Sequence, residues 1–446
     1  MTAPGPNGAE MLRQLRAIRH APHEFLLNCA RTYGGVTRFP IGNLPVYAVS
    51  DPRGVHHVLQ DNAHNYTKDT LQFNTLALVT GDGLLTSDGN YWLRQRRMIQ
   101  PAFHRRRVAA FGQTMVGATE KMLARWDSLP NNVTLDIDHE MMKLTLEIVG
   151  QTLFSVDLST AAGDLVQAVL ITLDYIVYRA QTPLALPPFI PTAHNRKFTR
   201  ALQLLDNAVY RLIAARRAET GTVQNGDLLD LLLAARTEDG RPMSDRQLRD
   251  EIITLIIAGH ETVASALSWT WYLLATNPAA SSALTAELAQ RLGGRPPAVD
   301  DLPHLPYTRA VLDEALRLYP PAWLITRRAR AADEIAGHVI PAGALIIISP
   351  YVVHRDERLW PEAEVFKPER FLSKDTPRFG YLPFGSGPRL CIGNTFALVE
   401  GALILATVAQ RYRLLAAPGQ SVQAEPLVTL RPKGGLPLQL ERIAND

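Results

Sequence analysis

The sequence predicts a mainly α fold of the α+β class, a helical body with a small β-rich part. Three observations predict it. A capping box at Ser244-Asp245-Arg246-Gln247 opens an apolar helical pattern that continues to about Ala275, and Asn277-Pro278 stops it. Several amphipathic stretches of helical period fill residues 138 to 236. Strand-like runs are short and confined to about 34–63, 335–350 and 425–442.

A chain of 446 residues has room for two or three domains, although single folds of this size exist. Hydrophobic residues at 46% and charged residues at 20% suit a globular protein with a large core. The net charge of +3 is small for the length and argues against nucleic acid as the main partner. No window approaches eighteen uninterrupted apolar residues, so no membrane span is expected. The N-terminus, Met1 to Glu10, is polar, carries two prolines and lacks a signal-peptide core. The two cysteines, Cys29 and Cys391, show no pairing pattern, which fits a reducing, cytoplasmic location.

In chain order, residues 11 to 32 read as a helical entry. Val36 to Ile41 and Val46 to Val49 read as strands around a Gly42-Asn43 turn. Asp51 is placed to N-cap a helix whose first residue is Pro52. Residues 69 to 90 read as a loop with Gly81, Gly83 and Gly89. Trp92 and Arg96 are four apart and share a helical face. His104-Arg105-Arg106-Arg107, with Arg94 and Arg97, makes a basic segment, either a solvated face or a dock for an acidic electron donor. Pro183 to Pro191 holds four prolines in nine residues, which excludes a helix or central strand. Residues 219 to 226 read as an exposed loop. Pro306 opens a helix that ends before Pro320-Pro321, with Glu314 and Arg317 on one face. Ile340 to Ser349 reads as one strand, Val428 to Leu440 as two strands around Pro432-Lys433-Gly434-Gly435, and Ile392 to Val408 as an apolar helix.

Two stretches carry chemistry. The first is Ala258-Gly259-His260-Glu261-Thr262 inside the long central helix. Glycine there costs roughly 1 kcal/mol against alanine, and buried Glu and Thr are costly without partners. Three unfavourable choices together point to function or to a distorted helical ladder. The bland alternative is a threonine bonded back to a carbonyl and a glutamate reaching solvent; His260 reads as a polar filler. The second stretch is Phe384-Gly385-Ser386-Gly387-Pro388-Arg389-Leu390-Cys391-Ile392-Gly393. Its glycines and proline make a loop at a helix start, where the macrodipole favours thiolate. One thiolate without neighbouring cysteines suits haem better than zinc or an iron–sulfur cluster. A free cysteine buried near a turn is the competing reading.

The Phe384 to Gly393 stretch resembles the haem-binding signature of the cytochrome P-450 family. Trp92 with Arg96, Ala258 to Thr262, and Glu314/Arg317 with Arg370 match further motifs of that family in the same order. The resemblance covers nearly the whole chain and looks like a soluble bacterial member. It implies a single domain over 1–446 and haem b as cofactor, with Cys391 as the iron ligand. Trp92, Arg96, Arg327 and Arg389 would bind the propionates, Arg328 being the neighbouring alternative to Arg327. Phe384, Ala258 and Gly259 would lie beside the haem and its O2, and Thr262 with Glu261 would deliver protons. Glu314, Arg317 and Arg370 would form a structural network. Phe73, Leu76, Ile257, Ala322, Trp323 and Leu324 would line a pocket for a lipophilic substrate such as a fatty acid, terpenoid or steroid-like compound. Thr429 or Leu430 would touch it too, and Pro183 to Pro191 would roof the entrance. The implied activity is monooxygenation by a monomer, with electrons from a ferredoxin or flavodoxin and its reductase. An O2-independent haem-thiolate isomerase or dehydratase and a non-enzymatic haem sensor are the alternatives.

Overall fold

The computed structural model describes residues 2–156, 162–182, 185–218, 227–236, 240–373, 376–377 and 379–443; of 162–166 and 180 it describes the backbone alone. The expected loop at 219–226 lies outside the described residues. Helices dominate, and the central one, Asp245–Thr276, is 32 residues long, roughly 48 Å at 1.5 Å per residue. Its start is the expected capping box: the Ser244 side chain accepts from the Gln247 N–H, and the Gln247 side chain returns the bond. Ile137–Phe154, Ala193–Ala218, Pro306–Leu318 and Asn394–Ala409 pack around it. It is long and apolar enough to cross a membrane, the one such helix among the described residues, but 83% of its apolar window is buried inside the protein. It is therefore the core of a helical body.

A five-stranded sheet lies beside this body, in the order Val36–Ile41, Leu44–Val49, Leu345–Ile348, Ile325–Ala329, Tyr66–Thr67. The first two form an antiparallel hairpin about Gly42, at φ 53°. Leu44–Val49 and Leu345–Ile348 run parallel, with Val46 opposite Leu345. Asp51 caps the next helix through the Gly54 N–H at 2.8 Å, with Pro52 as first residue.

The structure corrects three expectations. Residues 69–90 are not one loop, because Leu71–Thr80 is a helix. Its apolar residues point all round, so no amphipathic stripe marks it; Phe73, Leu76 and Val79 are buried in the main core. Ile340 to Ser349 is not one strand. Gly343, at φ 78°, turns the chain, and Ile340 belongs instead to a small hairpin of Asp333–Ile335 with His338–Ile340. Two strands do flank Lys433-Gly434-Gly435 as expected; Leu430–Pro432 pairs with Ala424–Pro426, and Pro437–Arg442 with Thr134–Asp136 and Tyr412–Leu415. The helix after Cys391 begins at Asn394, not Ile392.

Candidate active site

From Leu248 to Trp271 every residue of the central helix is buried except Ala258, Gly259 and Thr262. These three lie at i, i+1 and i+4, so they open on one face of an otherwise enclosed helix. A Cβ on Gly259 would lie 3.0 Å from Val149 Cγ2, so glycine also admits the neighbouring helix. The Thr262 hydroxyl donates back to the Ala258 carbonyl at 2.7 Å.

Glu261 faces elsewhere. It is buried, Oε1 accepts from the Thr429 hydroxyl at 3.0 Å, and Oε2 has no partner. Burial pushes its pKa up to about 7, with Asp138 and Asp174 adding to the rise and Arg431 and Thr429 opposing it. His260 is fully buried, and burial, with the Arg431 charge, lowers its pKa to about 3, so the ring is neutral.

The Cys391 loop is built on two left-handed glycines, Gly385 (φ 72°) and Gly387 (φ 68°). A Cβ on Gly387 would sit 2.0 Å from the Leu59 carbonyl oxygen, so the loop needs glycine twice over. The Cys391 N–H donates to the Phe384 carbonyl at 3.0 Å, closing the loop. The Cys391 side chain is accessible, yet protein surrounds it closely enough that desolvation raises its pKa. The Gly393 N–H and the Arg96 charge oppose that rise without cancelling it. This corrects the expectation that the helix start favours thiolate. The helix begins three residues later, and burial outweighs its dipole. The thiol is thus both accessible and partly desolvated. Among the described residues no cluster of His, Cys, Asp or Glu is arranged to hold a metal, so Cys391 would serve as a lone protein ligand.

Beside the thiol lies a cationic cluster. Arg389 stacks over the Trp92 ring at 3.7 Å, donates to the Ser87 carbonyl at 2.9 Å and pairs with Asp88. Arg96 lies 5.8 Å from the same ring. Arg327 and Lys68 lie over Phe73 at 5.8 and 4.7 Å. Burial, aided by mutual repulsion, lowers Arg327 and Arg389 to about 10 and Lys68 well below its usual value. Arg328, by contrast, turns to Asp69 and stands outside this cluster. Lys68 was not expected from sequence; nothing in Asn65-Tyr66-Thr67-Lys68 distinguishes it from a surface lysine. Four cations here face one carboxylate, Asp88. The deficit suits a ligand bearing two carboxylates, and the accessible thiol suits iron, so these residues fit a haem.

Farther out, Arg317 and Glu314 form a fully buried bidentate pair at 2.7 and 2.8 Å, and Arg370 reaches the same carboxylate at 3.1 Å. Arg317 also donates to the carbonyls of His354, Ala363 and Val365. The His354 ring in turn accepts the Leu382 N–H at 2.7 Å. The network therefore reaches within two residues of Phe384, which packs against Ala266, Leu312 and Leu316.

A family model described as cytochrome P-450 matches residues 4–437. The chain belongs to the cytochrome P-450 family. It is 37% identical over 430 residues to cyclooctatin synthase of Streptomyces melanosporofaciens, covering 95% of this chain and 92% of that protein. It is 36% identical to cyclooctat-9-en-7-ol 5-monooxygenase of the same organism, over 94% and 91% of the two chains. It is 32% identical to pentalenene oxygenase of Streptomyces avermitilis, over 96% and 94%. The chain is a P-450 monooxygenase with a haem-thiolate centre, and the isomerase and sensor alternatives are not favoured.

Not every residue expected at the P-450 site gathers there. Phe73 touches the cationic cluster, Leu76 shares its helix, and Ile257 adjoins Ala258. Ala322 is exposed, and Leu324 accepts from Gln72 at 3.1 Å. Trp323 turns away: its ring packs edge-on to His23 in a cluster with Phe25 and Tyr351, and its indole N–H bonds the Leu427 carbonyl. Leu430 is buried in that same cluster, and Thr429 is engaged with Glu261.

Proposed function

We propose that this P-450 inserts one oxygen atom of O2 into a C–H or C=C bond of a lipophilic, terpenoid-class molecule, using haem b. The observation that carries the reading is the accessible Cys391 thiol beside a cationic cluster short of negative charge. Two relatives are named for acting on cyclooctat-9-en-7-ol and on pentalenene, whose endings denote unsaturated carbon skeletons. When bound, the haem supplies O2 activation, which a thiolate ligand promotes by pushing electron density to the iron.

The chain's residues do the rest. Trp92, Arg96, Arg327, Arg389 and Lys68 hold the carboxylates, and Cys391 holds the iron. Phe73, Leu76 and Ile257 keep the chamber apolar. The Thr262 hydroxyl, at the opening of the central helix, donates a proton once it leaves the Ala258 carbonyl. Glu261, with a pKa near neutrality, stores the proton that replaces it. Electrons come from a separate ferredoxin or flavodoxin with its reductase. The monomer is the working unit, and the cytoplasm its location.

The test is a spectral-shift titration of the purified ferric protein with cyclic terpenes and terpene alcohols, against fatty acids and steroids. Micromolar shifts with the terpenoids alone are expected; shifts confined to fatty acids or steroids would refute the substrate class. Cys391→Ser should abolish the thiolate-type carbon monoxide spectrum. Its survival would refute the haem-thiolate assignment of that residue.

A further inference from the structure

The acid expected to feed protons to the chamber is not held by its own helix. Glu261 Oε1 accepts from the Thr429 hydroxyl at 3.0 Å, and both side chains are buried. Thr429 directly precedes the strand Leu430–Pro432, which is bound to the central helix at two further points: Ser265 Oγ and Trp269 Nε1 both donate to the Leu430 carbonyl, at 2.7 and 2.8 Å. Two residues along, Arg431 pairs with Asp138, whose other oxygen accepts from Ser268 at 3.1 Å. This segment therefore gives the Thr429 hydroxyl to Glu261 and the Arg431 guanidinium to Asp138, close enough for the Arg431 charge to act on Glu261 as well, and Arg431 keeps 17% side-chain exposure.

We propose that Thr429 is a positioning residue for the proton-donating carboxylate: its hydroxyl holds Glu261 turned away from the chamber and stabilises its ionised form. The proposal rests on the proton-storing role read above for Glu261 and deepens it. A hydrogen bond donated to a carboxylate favours the charged form, and the Glu261 carboxylate has no other donor among the described residues. The charged groups facing Glu261 are Arg431, which favours its ionisation, and Asp138 and Asp174, which oppose it; the neighbouring His260 is neutral. With burial opposing ionisation, the Thr429 hydroxyl and the Arg431 charge keep the carboxyl titrating at about 7, where it can both take up and release a proton. The remaining oxygen, Oε2, is free to carry that proton when the side chain turns toward Thr262.

The experiment follows the carboxyl itself. Infrared difference spectra of the ferric holoenzyme across pH show a protonated-carboxyl band, assigned to Glu261 by its loss in Glu261→Gln. In Thr429→Val the midpoint should rise by about one pH unit, a tenfold gain in proton affinity, and Thr429→Ser should restore it. The share of consumed O2 recovered as product should fall in Thr429→Val and in Glu261→Gln, and not in Thr429→Ser. If Thr429→Val does not fold, Thr429→Ala serves the same comparison. An unmoved midpoint, or equal shifts in the Val and Ser variants, would overturn the assignment to Thr429. Unchanged coupling in Glu261→Gln would instead overturn the proton-storing role of Glu261, whatever the titration shows.

Discussion

Glu400 is buried on the helix that follows Cys391, and neither carboxylate oxygen has a partner among the described residues. Burial alone raises its pKa well above the usual carboxylate value. Between the ordinary carboxyl pKa and that raised value the folded chain holds a proton that the unfolded chain has released. Stability therefore falls as pH rises through this window. Glu400→Met removes the group, so it should stabilise the protein by about 1–3 kcal/mol at pH 8, and less at pH 5. Urea unfolding at both values checks this; an equal effect at both would show a carboxylate that does not titrate. Lys68 poses the opposite case. Its ammonium donates to the Leu85 carbonyl at 2.6 Å within a cluster of like charges. Lys68→Met should raise the melting temperature of the haem-stripped protein and speed haem loss about tenfold, since a charged hydrogen bond contributes roughly 1.5–3 kcal/mol. If both quantities fell together, Lys68 would be a packing residue. Sequence gave no sign of Lys68, because its meaning comes from strands far apart in the chain that bring it to Arg327. The arginine at 327 was legible as a type, and only strand alternation separates it from Arg328.

The central helix was readable in the sequence at both ends, because caps are local chemistry: Ser244 and Gln247 meet across one turn, and Asn277 precedes a proline. The helix Leu71–Thr80 was not readable, since its apolar residues fall on every side, exposed Leu71 included, and leave no periodic signal. Nor was the pairing of Leu430–Pro432 with Ala424–Pro426, so the bond from Thr429 to Glu261 was not foreseen. Glu314, Arg317 and Arg370 were legible as a set, but the carbonyls that complete the set were not. Those carbonyls decide its energetics. Arg317 satisfies three of them and bonds Glu314 twice over, so the pair's desolvation is compensated only while both are present. Glu314→Gln should cost about 3–5 kcal/mol. Arg370→Met, at a side chain 11% exposed, should cost about a third of that. Denaturant midpoints of the two variants test the ranking. Equal losses would mean that Arg370 anchors the network as firmly as the buried pair does.

Over the whole molecule the net charge is only +3, so any strong field must come from segregation rather than excess. Arg94, Arg97, His104, Arg105 and Arg106 are exposed on consecutive helices, Gly89–Ile99 and Arg105–Ala110. Phe103, between them, packs at 6.4 Å on Phe396 of the helix that follows Cys391, and a Cβ on Gly393 would sit 3.7 Å from its ring. The basic segment therefore borders the loop of Cys391, the residue proposed to hold the iron. A solvated face would be equally basic wherever it lay, and this position is what favours the docking role. At 0.15 M salt the Debye length is about 8 Å, so such a patch steers an acidic donor over short range and loses effect as salt rises. Charge reversal at Arg105 and Arg106 should cut the second-order rate of reduction by an acidic ferredoxin or flavodoxin at least tenfold at low salt. It should also flatten the salt dependence. Reduction by dithionite, which needs no docking, should not change. Equal rates with the protein donor at every ionic strength would return these arginines to the role of a solvated surface.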